Sequence, residues 1–394
     1  MSIPLLLLIA MAPCQAVPES EQEPVSPVPV PQFHPPQMLE ASGIPIRFDE
    51  GLAAPTLVDI NFDGHLDLVD RHSWLLKLKV HLGQGQGKFG SGIWQDEIQG
   101  LGKLPLEVRI YRATPQFVDL NSDGALDVLY AHSEFQSSFK GNGWFLVDWG
   151  KSIESSESSA STLPEEESDH EKKATDMEKA IRFGSRPAAV DLNDDGILDV
   201  VSGNFMGQFR AYKGLGNGQF SKKAKWLIPE FFSEPNNFQT HPFFVDWDED
   251  GDQDLLTGGG KGGAYLSLNI GTSKKPKFSP LIKLLSPCAS RDRIEFGVGH
   301  ITEPQKSTRV SAADLNGDGK LDLVISDQVI LYFKGEGLTD DEARTKYAAW
   351  REELRNTRIT MEKESIDRYQ KVNDRGRSIA ERVDAGFVWV LYQK

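Results

Sequence analysis

The chain has little cysteine: Cys14 and Cys288 are the only two in 394 residues. A disulfide-stapled scaffold and a cysteine-rich zinc site are both excluded. It also lacks any uninterrupted apolar run of about 20 residues, so no segment reads as a membrane-spanning helix. Basic residues are too few to balance the acids. Lys and Arg total 43 against 58 Asp and Glu, a formal charge of −15. That balance argues against a nucleic-acid partner, which calls for basic patches, and against electrostatic attachment to anionic lipid. Signatures of common catalytic sites are missing: there is no Gly-x-Ser-x-Gly elbow, no His-Glu-x-x-His helix and no complete Gly-x-x-x-x-Gly-Lys-Ser/Thr phosphate loop. The run Gly258-Gly-Gly-Lys-Gly-Gly263 lacks the Ser/Thr that ends such a loop and reads as a turn between two strands.

What the chain has instead is one nine-residue pattern, five times over. Side-chain oxygens stand at its first, third, fifth and ninth positions and Gly at its sixth. The copies carry Asp59, Asn61, Asp63 and Asp67; Asp119, Asn121, Asp123 and Asp127; Asp191, Asn193, Asp195 and Asp199; Asp246, Asp248, Asp250 and Asp254; and Asp314, Asn316, Asp318 and Asp322. Alternate residues of a tight loop aim their oxygens at one centre, and Ca²⁺ takes six to eight oxygens at about 2.3–2.6 Å. Position seven is expected to add its main-chain carbonyl, from His65, Ala125, Ile197, Asp252 and Lys320; the Asp252 side chain is not among the expected ligands. Gly at position six allows a positive φ. No Cys or His side chain occupies a ligand position, which disfavours zinc and copper. With four carboxylates, the Asp246 copy is expected to bind most tightly. Sixteen carboxylates stand at the ligand positions, so five Ca²⁺ ions would bring the net charge to about −5.

An EF-hand opens in the same way but needs Glu at position twelve and flanking helices. Here position twelve is Asp70, Tyr130, Ser202, Thr257 or Ile325. The flanks are short, partly β-branched runs such as Pro115-Gln-Phe-Val and Val200-Val, bounded by Pro and Gly, and they read as strands.

Copies such as Ala313-Asp-Leu-Asn-Gly-Asp-Gly-Lys-Leu-Asp322-Leu-Val, with spacers Lys213-Gly-Leu-Gly-Asn-Gly-Gln-Phe220 and Asn269-Ile-Gly-Thr-Ser-Lys-Lys-Pro-Lys-Phe278, resemble the FG-GAP/VCBS repeat, the repeat of the integrin alpha-subunit head. The resemblance spans roughly Gly43 to Tyr392. It implies an all-β protein, a calcium-stabilised β-propeller, and a preference for adhesion or ligand binding. Five motif-bearing blades are counted directly; the spacers 83–113 and 275–309 leave room for six or seven. The functional expectation is a non-enzymatic module that binds an extracellular protein or carbohydrate. The alternatives are a polysaccharide lyase or hydrolase on the same fold, and a structural envelope component.

Residues 1–16 read as a signal peptide without a basic n-region, with lipid attachment at Cys14 as the rival reading. Either places the protein outside the cytoplasm: secreted, periplasmic or at the cell surface. Residues 17–42 are Pro-rich and read as a tether, and 43–394 as the propeller. Two insertions interrupt it. Residues 151–175 are Ser- and Glu-rich and read as a flexible excursion. Residues 339–383 read as helical: Thr339 and Glu342 form a capping box, followed by Tyr347, Trp350 and Leu354 at helical spacing, with a break expected near Asn356 or at Asn373-Asp-Arg-Gly376. Ile44–Phe48 and Gly386–Tyr392 are expected to meet in one closing blade. Third strands are expected at 78–82, 144–148, 209–212, 264–268 and 329–333. The aromatic stretch from Trp226 to Phe244 is either a binding platform or packing between blades.

Overall fold

A computed structural model describes residues 31–49, 55–71, 78–95, 97–98, 102–103, 116–120, 122, 127–131, 144–147, 186–203, 207–228, 240–289, 294–357 and 363–394. Every acidic motif lies in the same place, the connection between the first two strands of an antiparallel sheet. Thr56–Val58 pairs with Asp67–Arg71, Gln116–Val118 with Asp127–Ala131, and Arg186–Val190 with Asp199–Gly203. Pro242–Val245 pairs with Asp254–Gly258, and Lys306–Ala313 with Asp322–Lys334. A third strand then pairs with the second in each sheet: Leu78–His81, Trp144–Val147, Phe209–Gly216, Ala264–Ser267 and, last, Ala380–Leu391. Ile93–Gln95, Gln219–Trp226 and Ile282–Leu285 add outer fourth strands.

The sheets pack face to face in chain order. Leu129 of the second sheet clusters with Val200 of the third. Val201, on the opposite face of that strand, clusters with Leu255 of the fourth. Leu256 in turn clusters with Ile325 and Trp389 of the fifth. Val324, on the fifth sheet's other face, clusters with Leu68 of the first. Adjacent residues of one strand thus serve opposite neighbours, as the pleat requires. The middle strands are buried on both faces, so they read as unbroken apolar pairs instead of alternating ones. Such a ring of radial sheets is a β-propeller. Four of its sheets have four or more strands, and the sheet of Gln116–Val118 has three among the described residues.

The two ends of the chain meet as expected. Arg47–Asp49 pairs with Ala385–Phe387. The tether is shorter than the sequence suggests, because residues 31–42 pack onto the closing sheet, where Glu40–Ala41 forms a small hairpin with Ile44–Pro45. Gln37 and Met38 pair with Val390 and Trp389, Phe33 bridges Gln393, and Leu39 and Ala41 are buried. Their apolar side chains outweigh the Pro-rich composition around them. The stretch 329–333 is not a separate strand either. Nothing between Leu323 and Lys334 breaks the backbone, so one strand runs the whole way and Ala380–Leu391 is its partner.

The helical insertion therefore sits between these two strands. It forms a first helix, Asp340–Asn356, and a second, Lys363–Ile379; the following strand begins at Ala380, slightly before the expected boundary. The Thr339 capping box is present, with Thr339 Oγ1 accepting from Glu342 N and Glu342 Oε2 from Thr339 N. Trp350 locks the pair: its indole donates to Val372 O at 2.6 Å, and its ring lies where a side chain at Gly376 would be. The flexible insertion 151–175 and the signal-peptide and lipid-anchor readings of residues 1–16 fall outside the described residues.

Asp327 is wholly buried in the long strand, where the ladder skips two pairs. Its carboxylate takes the place of a main-chain acceptor for Phe387 N and Gln305 N, both at 2.8 Å. Burial pushes its pKa up to about 6. Because the folded-state value lies above that of the unfolded chain, the folded protein holds the extra proton between about pH 4 and 6. The contribution of Asp327 to stability is therefore expected to rise as pH falls through that window, by up to about 3 kcal/mol. Urea denaturation across pH 4–7 should show this slope in the native chain and a flatter one in Asp327→Asn. Equal slopes would refute the assignment.

Candidate calcium loops

Within the first, third, fourth and fifth loops the first- and fifth-position carboxylates are fixed by main-chain N–H groups of the loop itself. Asp59 Oδ1 accepts from Asp63 N at 3.0 Å and Oδ2 from Gly64 N at 2.8 Å. Asp191, Asp246 and Asp314 accept from positions five and six of their own loops in the same way. The fifth-position carboxylates Asp63, Asp195, Asp250 and Asp318 accept from the N–H of position seven, at 2.9–3.1 Å. These turns need two left-handed residues. Gly at position six is one, with φ of 88° at Gly64 and 92° at Gly251. The other is position four, φ 58° at Phe62, 61° at Ser122, 55° at Asp194, 59° at Glu249 and 78° at Gly317. The identities at position four vary so widely that no pattern announces this strain.

The ninth-position Asp behaves differently. Asp67, Asp127, Asp199, Asp254 and Asp322 are all buried. One oxygen accepts from position two of the loop: Ile60 N, Leu120 N, Leu192 N, Trp247 N or Leu315 N. The other reaches the end of the third strand, accepting from Gly83 N at 2.7 Å, Gly214 N at 2.6 Å, Asn269 N at 2.7 Å and Gln393 N at 3.0 Å. One side chain thus ties the loop to the third strand of its sheet. Two of these donors must be glycine. A Cβ at Gly83 would lie 2.3 Å from Leu66 O, and one at Gly214 would lie 2.2 Å from Leu198 O. In the first, third and fourth copies the donor follows the Asp by 15 or 16 residues, a spacing visible in sequence; in the fifth the helical insertion lengthens it to 71.

The donor set is hard oxygen throughout, which fits Ca²⁺. In the fourth loop Asp246, Asp248 and Asp254 bring three carboxylate oxygens within 4.8 Å of one another. Burial, followed by the charges of Asp248 and Asp252, pushes Asp254 up to about 6. Asp252 is also pushed up to about 6, by burial and then by Asp250, Asp248 and Asp246, and its Oδ1 is buried without a hydrogen-bond partner. Unrelieved negative charge of this kind is what a divalent cation compensates. Asp246, Asp248, Asp250 and Asp254 would hold it, together with the Asp252 carbonyl. In the third loop Lys213 Nζ lies 3.1 Å from Asp195 Oδ2 and competes with a cation there. Burial likewise raises the carboxyls of Asp67, Asp199 and Asp322. Main-chain and amide donors hold Asp63 and Asp318 low. Of the second copy, Asn121, Asp123 and Ala125 lie outside the described residues, while Asp119 and Asp127 take positions matching those of the other copies.

The glycine run resolves as a turn, and part of the aromatic stretch as packing. The glycine run turns between Asp254–Gly258 and Ala264–Ser267, and a Cβ at Gly258 would lie 2.1 Å from Thr308 O of the adjoining sheet. In the aromatic stretch, Phe243 joins the core cluster of the closing sheet and Phe244 stacks on Phe278 at 6.3 Å. Trp226 remains half-exposed beneath the Arg210 guanidinium, and Phe231, Phe232, Asn236, Asn237 and Phe238 lie outside the described residues.

Radial sheets that each open on the same acidic loop define a repeat-built β-propeller. Residues 191–257 match the FG-GAP-like repeat family, a span that runs from the first Asp of the third loop through the whole of the fourth. The chain is a β-propeller that carries FG-GAP-like repeats. No curated protein matches it. Among the described residues no helix is long and apolar enough to cross a membrane.

Proposed function

We propose that this propeller is an exported, calcium-stabilised binding module that holds an extracellular protein or carbohydrate without turning it over. The observation that carries the calcium reading is the fourth loop, where three carboxylates converge on one point and a fourth is buried beside them. Calcium is structural in this reading. It neutralises the loop carboxylates and stiffens the connection between the first two strands of a sheet, so that neighbouring loops keep their shape for a partner. The binding reading is supported by the fixed state of the motif acids. In the first, third, fourth and fifth loops the first- and fifth-position acids are held by main-chain N–H donors of their own loop, which suits a scaffold better than a pair of proton-shuttling carboxyls. Export agrees with calcium concentrations of about 10⁻⁴–10⁻³ M, which extracellular modules use.

Isothermal titration of the chelator-stripped chain should show calcium binding at more than one site, the tightest lost in Asp248→Ala. The calcium-loaded chain on glycan and protein arrays should then retain a partner that it leaves chemically unchanged. Absence of calcium binding would remove the metal reading. Depolymerisation of a retained polysaccharide, abolished by changing an acid outside the loops, would replace the binding module with an enzyme.

A further inference from the structure

At the centre of the ring the five first strands meet around one cavity of about 130 Å³. We propose that this cavity binds a small oxyanion, a carboxylate or sulfate-like ion, at Arg309. The first strand is the terminal strand of every sheet, so its outer edge faces the propeller axis. That position explains why Pro187 and Pro242 are tolerated in strands: proline suits an edge, where no further ladder bond is made. The cavity they enclose is mostly apolar but carries several polar groups. Its lining includes Arg309, His241, Gln116, Ser311 and Ser326.

The charge of this lining sets it apart from the rest of the molecule. Among the described residues none that lines the cavity is acidic, in a chain whose formal charge is −15. Arg309 is 4 % exposed and His241 is 8 % exposed. Arginine cannot shed its proton, and its planar fork matches an oxyanion better than any other side chain does. Ser326 faces Arg309 directly across the ladder, and Ser311 lies two residues along on the same face. Gln116 has its carbonyl oxygen taken by Ala189 N at 2.6 Å, which leaves the amide nitrogen as its donating end. Cation, hydroxyls and amide together make a donor-rich chamber several times the ~30 Å³ that a water molecule takes up in the liquid. The volume admits an ion of the size of sulfate, acetate or succinate and excludes a polymer. The site is therefore separate from any macromolecular surface, and it uses no residue of the calcium loops.

The test is equilibrium dialysis of the full chain, kept in calcium, against labelled sulfate, acetate and succinate at constant ionic strength made up with chloride. Saturable binding of one ion per chain is expected for at least one of the three. Arg309→Met should weaken that binding about tenfold or more, with circular dichroism unchanged. If Arg309→Met does not fold, the double variant His241→Gln, Ser311→Ala should weaken the same binding. No saturable binding up to about 10 mM would show a water-filled cavity and overturn the proposal. Binding that survives these substitutions would place the ion elsewhere and overturn it equally. Because the loops play no part, retained calcium binding with no anion binding would sink this inference and leave the proposed function standing.

Discussion

Stripping calcium from the folded chain is expected to lower its melting temperature by roughly 7–14 °C. A ligand that binds only the native state stabilises it by RT ln(1 + [L]/Kd), about 1.4 kcal/mol per site at tenfold excess. Five loops at that occupancy would contribute about 7 kcal/mol in sum. For a chain of this size each kilocalorie moves the midpoint by roughly 1–2 °C. The loops will not contribute equally. The fourth concentrates the most carboxylate charge, while Lys213 already offsets part of the charge in the third. Thermal melting by circular dichroism, with calcium, with chelator, and with chelator followed by excess calcium, gives the measurement. The fall should reverse on the last step, and magnesium should restore less of it, because it dehydrates reluctantly and demands octahedral geometry. An unchanged midpoint, together with no calcium by elemental analysis, would mean that the loops are metal-free turns held by their own N–H groups.

Those N–H groups explain what was legible in the sequence. The nine-residue pattern located the five loops, and its apolar flanks located the strands on either side, because both are local. The capping box at Thr339 and the matching termini were legible for the same reason. The donors that complete the ninth-position Asp were not. Gly83, Gly214 and Asn269 stand at a regular distance and could have been found by aligning the copies on that Asp. Gln393 could not, since a two-helix insertion separates it from Asp322. The positive φ at position four left no trace either, because Phe62 and Glu249 are held there by the surrounding hydrogen bonds and not by their own preference. The docking of residues 31–42 escaped because a Pro-rich composition masked the few apolar residues that anchor it. The central cavity lay beyond any local reading, since five strands distant in sequence enclose it.

The two roles of the fourth-loop acids can be separated by two substitutions. Asp248 is exposed, and burial together with the charges of Asp250 and Asp246 raises its carboxyl. In Asp248→Ala a calcium ligand is lost, so stability in calcium is expected to fall. In chelator the same change relieves repulsion inside the loop, so stability should be unchanged or slightly higher. Asp254 is 1 % exposed and accepts from Trp247 N at 2.9 Å and Asn269 N at 2.7 Å. In Asp254→Ala both donors are orphaned and the metal loses a ligand, a combined cost of about 3–5 kcal/mol in calcium. Chelation should shrink that cost to about 1–2 kcal/mol without reversing it, since losing a buried charge offsets only part of the loss of two hydrogen bonds. Urea denaturation of both variants in calcium and in chelator reads out all four values. Equal losses for Asp248→Ala under the two conditions would mean that this residue holds no metal. A vanishing effect of Asp254→Ala in chelator would mean that its bonds to the third strand matter only when calcium is bound.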